Sequence, residues 1–243
     1  MAQKRIEFQG NVFDISYEIL HPEANQDIAI LHGWGSNKEL MKGAFKECFS
    51  AYRHLYIDLP GFGSSPNETV LTTENYADIV KLFLAELNFS YDIVLGHSFG
   101  GKVATLLQPK LLVLVASSGI LVPKPLSVRM KIAFFKLFKK VGLSSLRSFF
   151  VAEDAAKLSV AMYETFKQVV NEDFTEQFRA FKGEALLCFA KDDTATPLYT
   201  AYEIERLMPH ARVVAFEGDH YFFMKENLHV NAEVERTLQM MES

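Results

Sequence analysis

Six short, strongly apolar runs bounded by turn-forming residues limit what this chain can fold into more than any other feature of its sequence. They are Ile28 to Leu31, Leu55 to Ile57, Ile93 to Leu95, Leu111 to Val115, Leu186 to Phe189 and Val213 to Phe216, most of them separated by stretches of helical periodicity. Apolar runs without polar alternation read as strands buried on both faces, and strand–helix–strand alternation makes neighbouring strands parallel. The pattern predicts an α/β fold: a mostly parallel, twisted sheet with helices on both faces. Ahead of it, Arg5 to Phe8 and Val12 to Ile19 predict an opening hairpin turned at Gln9-Gly10-Asn11. With 243 residues, 49% of them apolar and 23% charged, the chain fits one large domain that buries roughly 70 to 75% of its unfolded surface.

One interval breaks the alternation. About 70 residues between Ala116 and Leu186 carry helical periodicity and no strand signal, with Pro123 and Pro125 near the start and Gly183 at the exit. They predict a helical insert, so the expected organisation is a core of 1–118 and 183–243 with a cap of 119–182. Only Cys48 and Cys188 are present, with no paired spacing and no nearby histidine cluster. Neither a disulfide framework nor a metal site is expected, and a reducing cytoplasm fits. The amino terminus alternates charged and apolar residues, which does not read as a signal peptide, and no apolar stretch approaches the roughly 20 residues of a membrane span. A net charge of −5 argues against a nucleic-acid partner.

The chemistry concentrates at Gly96-His97-Ser98-Phe99-Gly100-Gly101, a G-x-S-x-G run directly after one buried strand and directly before a helix. A strand that turns sharply into a helix lifts the central serine clear of the sheet, and the flanking glycines relieve crowding there. Such a serine needs a base, and the base needs an orienting carboxylate. Asp192 and Asp193 lie just past the run Leu186 to Phe189, and His220 just past Val213 to Phe216, so the chain order is Ser, Asp, His. Asp219 reads as a loop or capping residue. An oxyanion needs two fixed backbone donors. The amides of Phe99, next to the serine, and of Trp34, in the glycine-flanked turn His32-Gly33-Trp34-Gly35, are the expected pair. No cofactor is required by this chemistry.

Together with Asp58-Leu59-Pro60-Gly61-Phe62-Gly63-Ser64-Ser65, these motifs resemble the α/β-hydrolase superfamily over nearly the whole chain. Within it, the length and the H-G-W-G turn resemble the pimeloyl-acyl-carrier-protein methyl ester esterases of biotin synthesis. The resemblance implies the α/β-hydrolase fold, a Ser98–His220–Asp193 triad and hydrolysis of a methyl ester on an acyl chain carried by acyl carrier protein. It selects Asp193 over Asp192, because the family pattern G-x-x-D-x-x-x-P places the acid four residues before Pro197. Ala190 departs from that pattern, standing where glycine is usual. The helix after the elbow is also short, closed by Pro109, so the sheet is expected to be thinly covered on that side. The Asp58 loop reads as structural. Carbon–carbon bond hydrolases of the dienoate type and broad small-ester esterases are the alternatives. The former usually carry Asn before the nucleophile and Trp after the base, where this chain has His97 and Tyr221.

Gly119 to Ala152 contains seven basic residues and no acidic one, leaving −12 on the remainder. Such segregation favours an anionic partner. On a helix over Leu126 to Val141, Arg129, Lys136 and Lys140 share a stripe with Lys139 beside it, and Met130, Phe134, Leu137, Phe138 and Val141 gather opposite. With Arg147, these cations are the expected docking surface for an acidic acyl carrier protein. Attachment to a membrane surface is the less favoured reading of the same helix.

Overall fold

The computed structural model describes residues 2–122 and 159–242. Eight strands form one sheet: β1 (Ala2–Phe8), β2 (Asn11–Leu20), β3 (Gln26–Leu31), β4 (Tyr52–Ile57), β5 (Ile93–His97), β6 (Leu111–Val115), β7 (Glu184–Ala190) and β8 (Ala211–Phe216). Their order is β1-β2-β4-β3-β5-β6-β7-β8. The hairpin β1–β2 is antiparallel and β2 meets β4 antiparallel, whereas every pairing from β4 to β8 is parallel. All six apolar runs are strands, and the hairpin turns where expected.

Alternate side chains of β3 to β8 feed two cores, whereas β1 contributes only to the first. In β3, Ala29 and Leu31 enter one core while Ile28 and Ile30 enter the other. The first is covered by α2 (Thr73–Glu86), α3 (Phe99–Leu107) and α6 (Leu198–Leu207) through Phe83, Val103 and Ile204. The second is covered by α1 (Lys38–Phe45) and α7 (Phe223–Glu242) through Phe45, Phe223 and Val230. Asn37 caps α1 by accepting from the amides of Glu39 and Leu40, and Thr72 with Asn75 closes a capping box on α2.

Two further helices, α4 (Val160–Val169) and α5 (Thr175–Ala180), lie within 119–182. Their contacts correct one expectation. Although α3 has only 9 residues, its side of the sheet is not thinly covered: all but one of its residues are buried. The cover comes from α2 and from the Phe174–Phe181 segment, where Phe174, Phe178 and Phe181 are fully buried. Lys102, in α3, is 2% exposed and reaches the Val169 carbonyl at 2.6 Å and the Glu172 carboxylate at 2.8 Å. Burial pulls the Lys102 ammonium down from its usual range, and the Glu172 carboxylate partly offsets that. Thr73 in α2 donates to the same Glu172 oxygen at 2.5 Å. One carboxylate thus ties α2, α3 and the α4–α5 connection together.

Candidate active site

The sharp turn from β5 into α3 centres on Ser98, whose φ of 50° and ψ of −115° lie where non-glycine residues are rarely found. The surrounding bonds hold it there. The Ser98 amide donates to the Val115 carbonyl at 3.1 Å, and the Ser98 carbonyl accepts from the amides of Gly101 at 3.0 Å and Ser118 at 3.2 Å. The glycines on either side are steric necessities. A Cβ on Gly96 would stand 2.4 Å from the Gly100 carbonyl oxygen, and one on Gly100 would stand 2.5 Å from that of His32. The turn leaves Ser98 partly exposed between the fully buried His97 and Phe99.

Phe99 opens α3, so its amide has no carbonyl one turn back to bond and points out of the helix end. Opposite it runs the His32–Gly35 turn. A Cβ on Gly33 would come within 3.0 Å of the Ser98 Cβ, so only glycine lets this turn approach the serine so closely. Buried His32 sets its shape: Nδ1 donates to the Gly33 carbonyl at 2.8 Å and Nε2 accepts from the Leu59 amide at 3.0 Å. Burial lowers the His32 pKa to about 4, so near neutral pH the ring is uncharged and holds this one tautomer. The half-buried Trp34 ring packs against Phe62 at 4.9 Å, Phe99 at 5.5 Å and Phe166 at 5.4 Å, joining the turn to α3 and α4. Core packing of the side chain and a role for the backbone amide are compatible.

His220 and Asp193 meet across the ends of β7 and β8. His220 Nδ1 lies 2.7 Å from Asp193 Oδ2. Asp193 is 3% exposed whereas Asp192 is exposed, which separates two carboxylates that the β7 pattern leaves equivalent. The Asp193 carboxylate also accepts from the amides of Ala195 at 2.7 Å and Thr196 at 3.0 Å, and from the Thr196 hydroxyl at 2.7 Å. Burial alone would push this carboxyl up, but the bonds from His220 and from the Thr196 hydroxyl and amide hold it below its ordinary range. It is therefore an anion facing the imidazole. Asp219 accepts from the Tyr221 amide at 2.9 Å, a loop-shaping role.

Asp58 is structural in the same sense. Its carboxylate accepts from the Lys38 amide and ammonium, each at 2.7 Å, and from the Ser64 amide at 3.0 Å. This buried cluster fixes the loop after β4 to the start of α1, under the His32–Gly35 turn.

Of the residues singled out in the sequence, Asp193 and His220 are in direct contact. The His220 ring stands 4.8 Å from that of His97, the neighbour of Ser98, and Trp34 stacks edge-on over Phe99. Arg129, Lys136, Lys139, Lys140 and Arg147 lie outside the described residues. Sequence reasoning missed Thr196 as a partner of the acid and His32 as the brace of the turn. Among the described residues, no cluster of three or more His, Cys, Asp or Glu could hold a metal ion.

Residues 28–237 match the profile of the alpha/beta hydrolase family. The chain belongs to this family. The fold is shared over full length by an esterase of Thermogutta terrifontis, with a TM-score of 0.72 and 17% identity, all of each chain being covered. Among curated relatives, the pimeloyl-[acyl-carrier protein] methyl ester esterase of Photorhabdus laumondii is 34% identical over 83 residues, which is 34% of this chain and 30% of that protein. That of Pectobacterium atrosepticum is 26% identical over 190 residues, or 78% of this chain and 64% of that protein. The matches thus span less than two thirds of these relatives' own lengths.

Proposed function

We propose that this alpha/beta hydrolase is a serine carboxylesterase that cleaves the methyl ester at the far end of an acyl chain tethered to acyl carrier protein. Ser98 Oγ attacks the ester carbonyl as His220 takes its proton, and Asp193 fixes the imidazole tautomer and stabilises its cation. The amides of Phe99 and Trp34 receive the oxyanion. The proton passes from His220 to the departing methanol, and water then attacks the acyl-enzyme by the same route, releasing a terminal carboxylate. The observation that carries this reading is the 2.7 Å bond between His220 and a buried, multiply bonded Asp193 beside a strained serine turn. The substrate is suggested by the names of the Photorhabdus and Pectobacterium relatives.

In this reading 119–182 is a cap, and Arg129, Lys136, Lys139, Lys140 and Arg147 on it receive the acidic carrier. The protein works in the cytoplasm on a carrier-bound substrate; no described helix is long and apolar enough to cross a membrane. The test is intact-mass spectrometry of acyl carrier protein loaded with a monomethyl dicarboxylate chain, incubated with wild type and with Ser98→Ala. Loss of the methyl group with wild type alone is expected. An unchanged carrier, with a small chromogenic ester still cleaved, would remove the carrier substrate and turn the search to free esters and dienoate ketones.

A further inference from the structure

His97 is 1% exposed, yet an imidazole is a costly group to place there. Its Nδ1 has no hydrogen-bond partner among the described residues, and leaving a buried polar atom unpaired costs about 1 to 3 kcal/mol. The slot itself is aromatic: the ring lies 5.4 Å from Tyr221 and 4.8 Å from Phe223. A phenylalanine would bring no polar atom of its own to be left unpaired. What phenylalanine lacks is the other nitrogen, Nε2, which stands 3.2 Å from the His220 carbonyl oxygen.

We propose that His97 is a positioning residue for His220: by donating Nε2–H to the His220 carbonyl it fixes the main chain of the base, while Asp193 fixes the ring. The inference rests on the triad reading above. An imidazole bonded only through Nδ1 can still swing with its backbone, so the direction of its free nitrogen depends on what holds the carbonyl behind it. His97 is suited to hold it, because it immediately precedes Ser98. It also backs onto Gly33, where an added Cβ would lie 2.9 Å from Nδ1. Nucleophile, oxyanion turn and base loop therefore take their spacing from one side chain. Near neutral pH the ring is uncharged, since burial and then the neighbouring His220 lower its pKa to about 3; it offers a proton to the carbonyl without placing a second cation beside the base.

The test compares His97→Phe, which keeps the ring and loses the donor, with His97→Gln, whose amide reaches as far and restores an N–H. Steady-state hydrolysis of a small chromogenic ester should show kcat lower by about 10- to 100-fold in His97→Phe. KM should stay within about twofold, and His97→Gln should recover most of the loss. Wild-type kcat in His97→Phe, or a His97→Gln no better than it, would overturn the proposal. Nitrogen-15 NMR of the wild-type imidazoles gives a reading that needs no folded variant. The Nε2–H tautomer of His97 is expected, and the Nδ1–H tautomer would overturn the donation to His220. A wild type inert toward every ester would strike the triad reading instead, and the tautomer would still decide the hydrogen bond.

Discussion

Mild acid should destabilise this protein before its carboxylates titrate, because two imidazoles are buried uncharged. Burial lowers the pKa of His32 to about 4 and that of His97 to about 3, against 6.5 for the exposed ring. Below pH 6.5 the unfolded chain therefore binds protons at both sites and the folded chain does not. Stability is full above that pH and falls as the pH drops, until the folded values are reached. Between pH 7 and pH 5 each site removes about 2 kcal/mol, or about 4 kcal/mol together, from a total of roughly 5 to 15 kcal/mol for a typical domain. At pH 5 unfolding takes up about two protons at these sites, a slope of about 2.5 kcal/mol per pH unit. His54, also lowered by burial, acts in the same direction. Urea denaturation at constant ionic strength, followed by far-UV circular dichroism and by the fluorescence of the single tryptophan, Trp34, measures the slope. In His97→Phe one site is gone and the slope at pH 5 should fall by about one proton. Stability flat from pH 7 to pH 5, or an unchanged slope in the variant, would refute the buried neutral imidazoles.

Three other substitutions probe the site and its supports. Gly33→Ala sets a methyl group against His97 Nδ1 and the Ser98 Cβ; kcat should fall at least about tenfold and the melting temperature should fall with it, since overpacking a buried site costs about 1 to 3 kcal/mol, and wild-type turnover would show that the turn can yield. Thr196→Val removes the hydroxyl from Asp193 Oδ2; kcat should drop about tenfold, and Thr196→Ser should restore it. Lys102→Met strips Glu172 of its ammonium partner and should lower stability by about 2 kcal/mol, discounted from a fully buried pair because Glu172 is partly exposed. Adding Glu172→Gln should return part of that loss in thermal melts, and additive losses would argue against the pairing.

How much of this was legible in the sequence follows from the range of each interaction. The strands were, because burial on both faces forces unbroken apolar runs. Their starts were not: Tyr52 to His54 and Glu184 to Ala185 belong to β4 and β7 through main-chain pairing with Gln26 to Ile28 and with Leu111 to Leu112, which leaves no hydropathy mark. The elbow was legible because a strained serine between close-packed backbones admits glycine at Gly96 and Gly100. Asp193 was separable from Asp192 in the sequence only through the resemblance, whose pattern sets the acid four residues before Pro197; the physical difference is burial of Asp193 against His220, 27 residues further on. Thr196, His32 and His97 carry no local signature as braces, since their partners lie in other loops. The cover over α3 was misjudged from its length because Phe174, Phe178 and Phe181 arrive from a distant part of the chain.

The central claim is that Ser98 is a nucleophile activated by His220. Rapid-quench intact-mass spectrometry with an activated small ester, followed by peptide mapping, tests it most directly. The account predicts a transient acyl adduct on the Ser98 peptide in wild type, none in Ser98→Ala, and greatly slowed formation in His220→Ala. An adduct on another residue, or full turnover by Ser98→Ala, would contradict it.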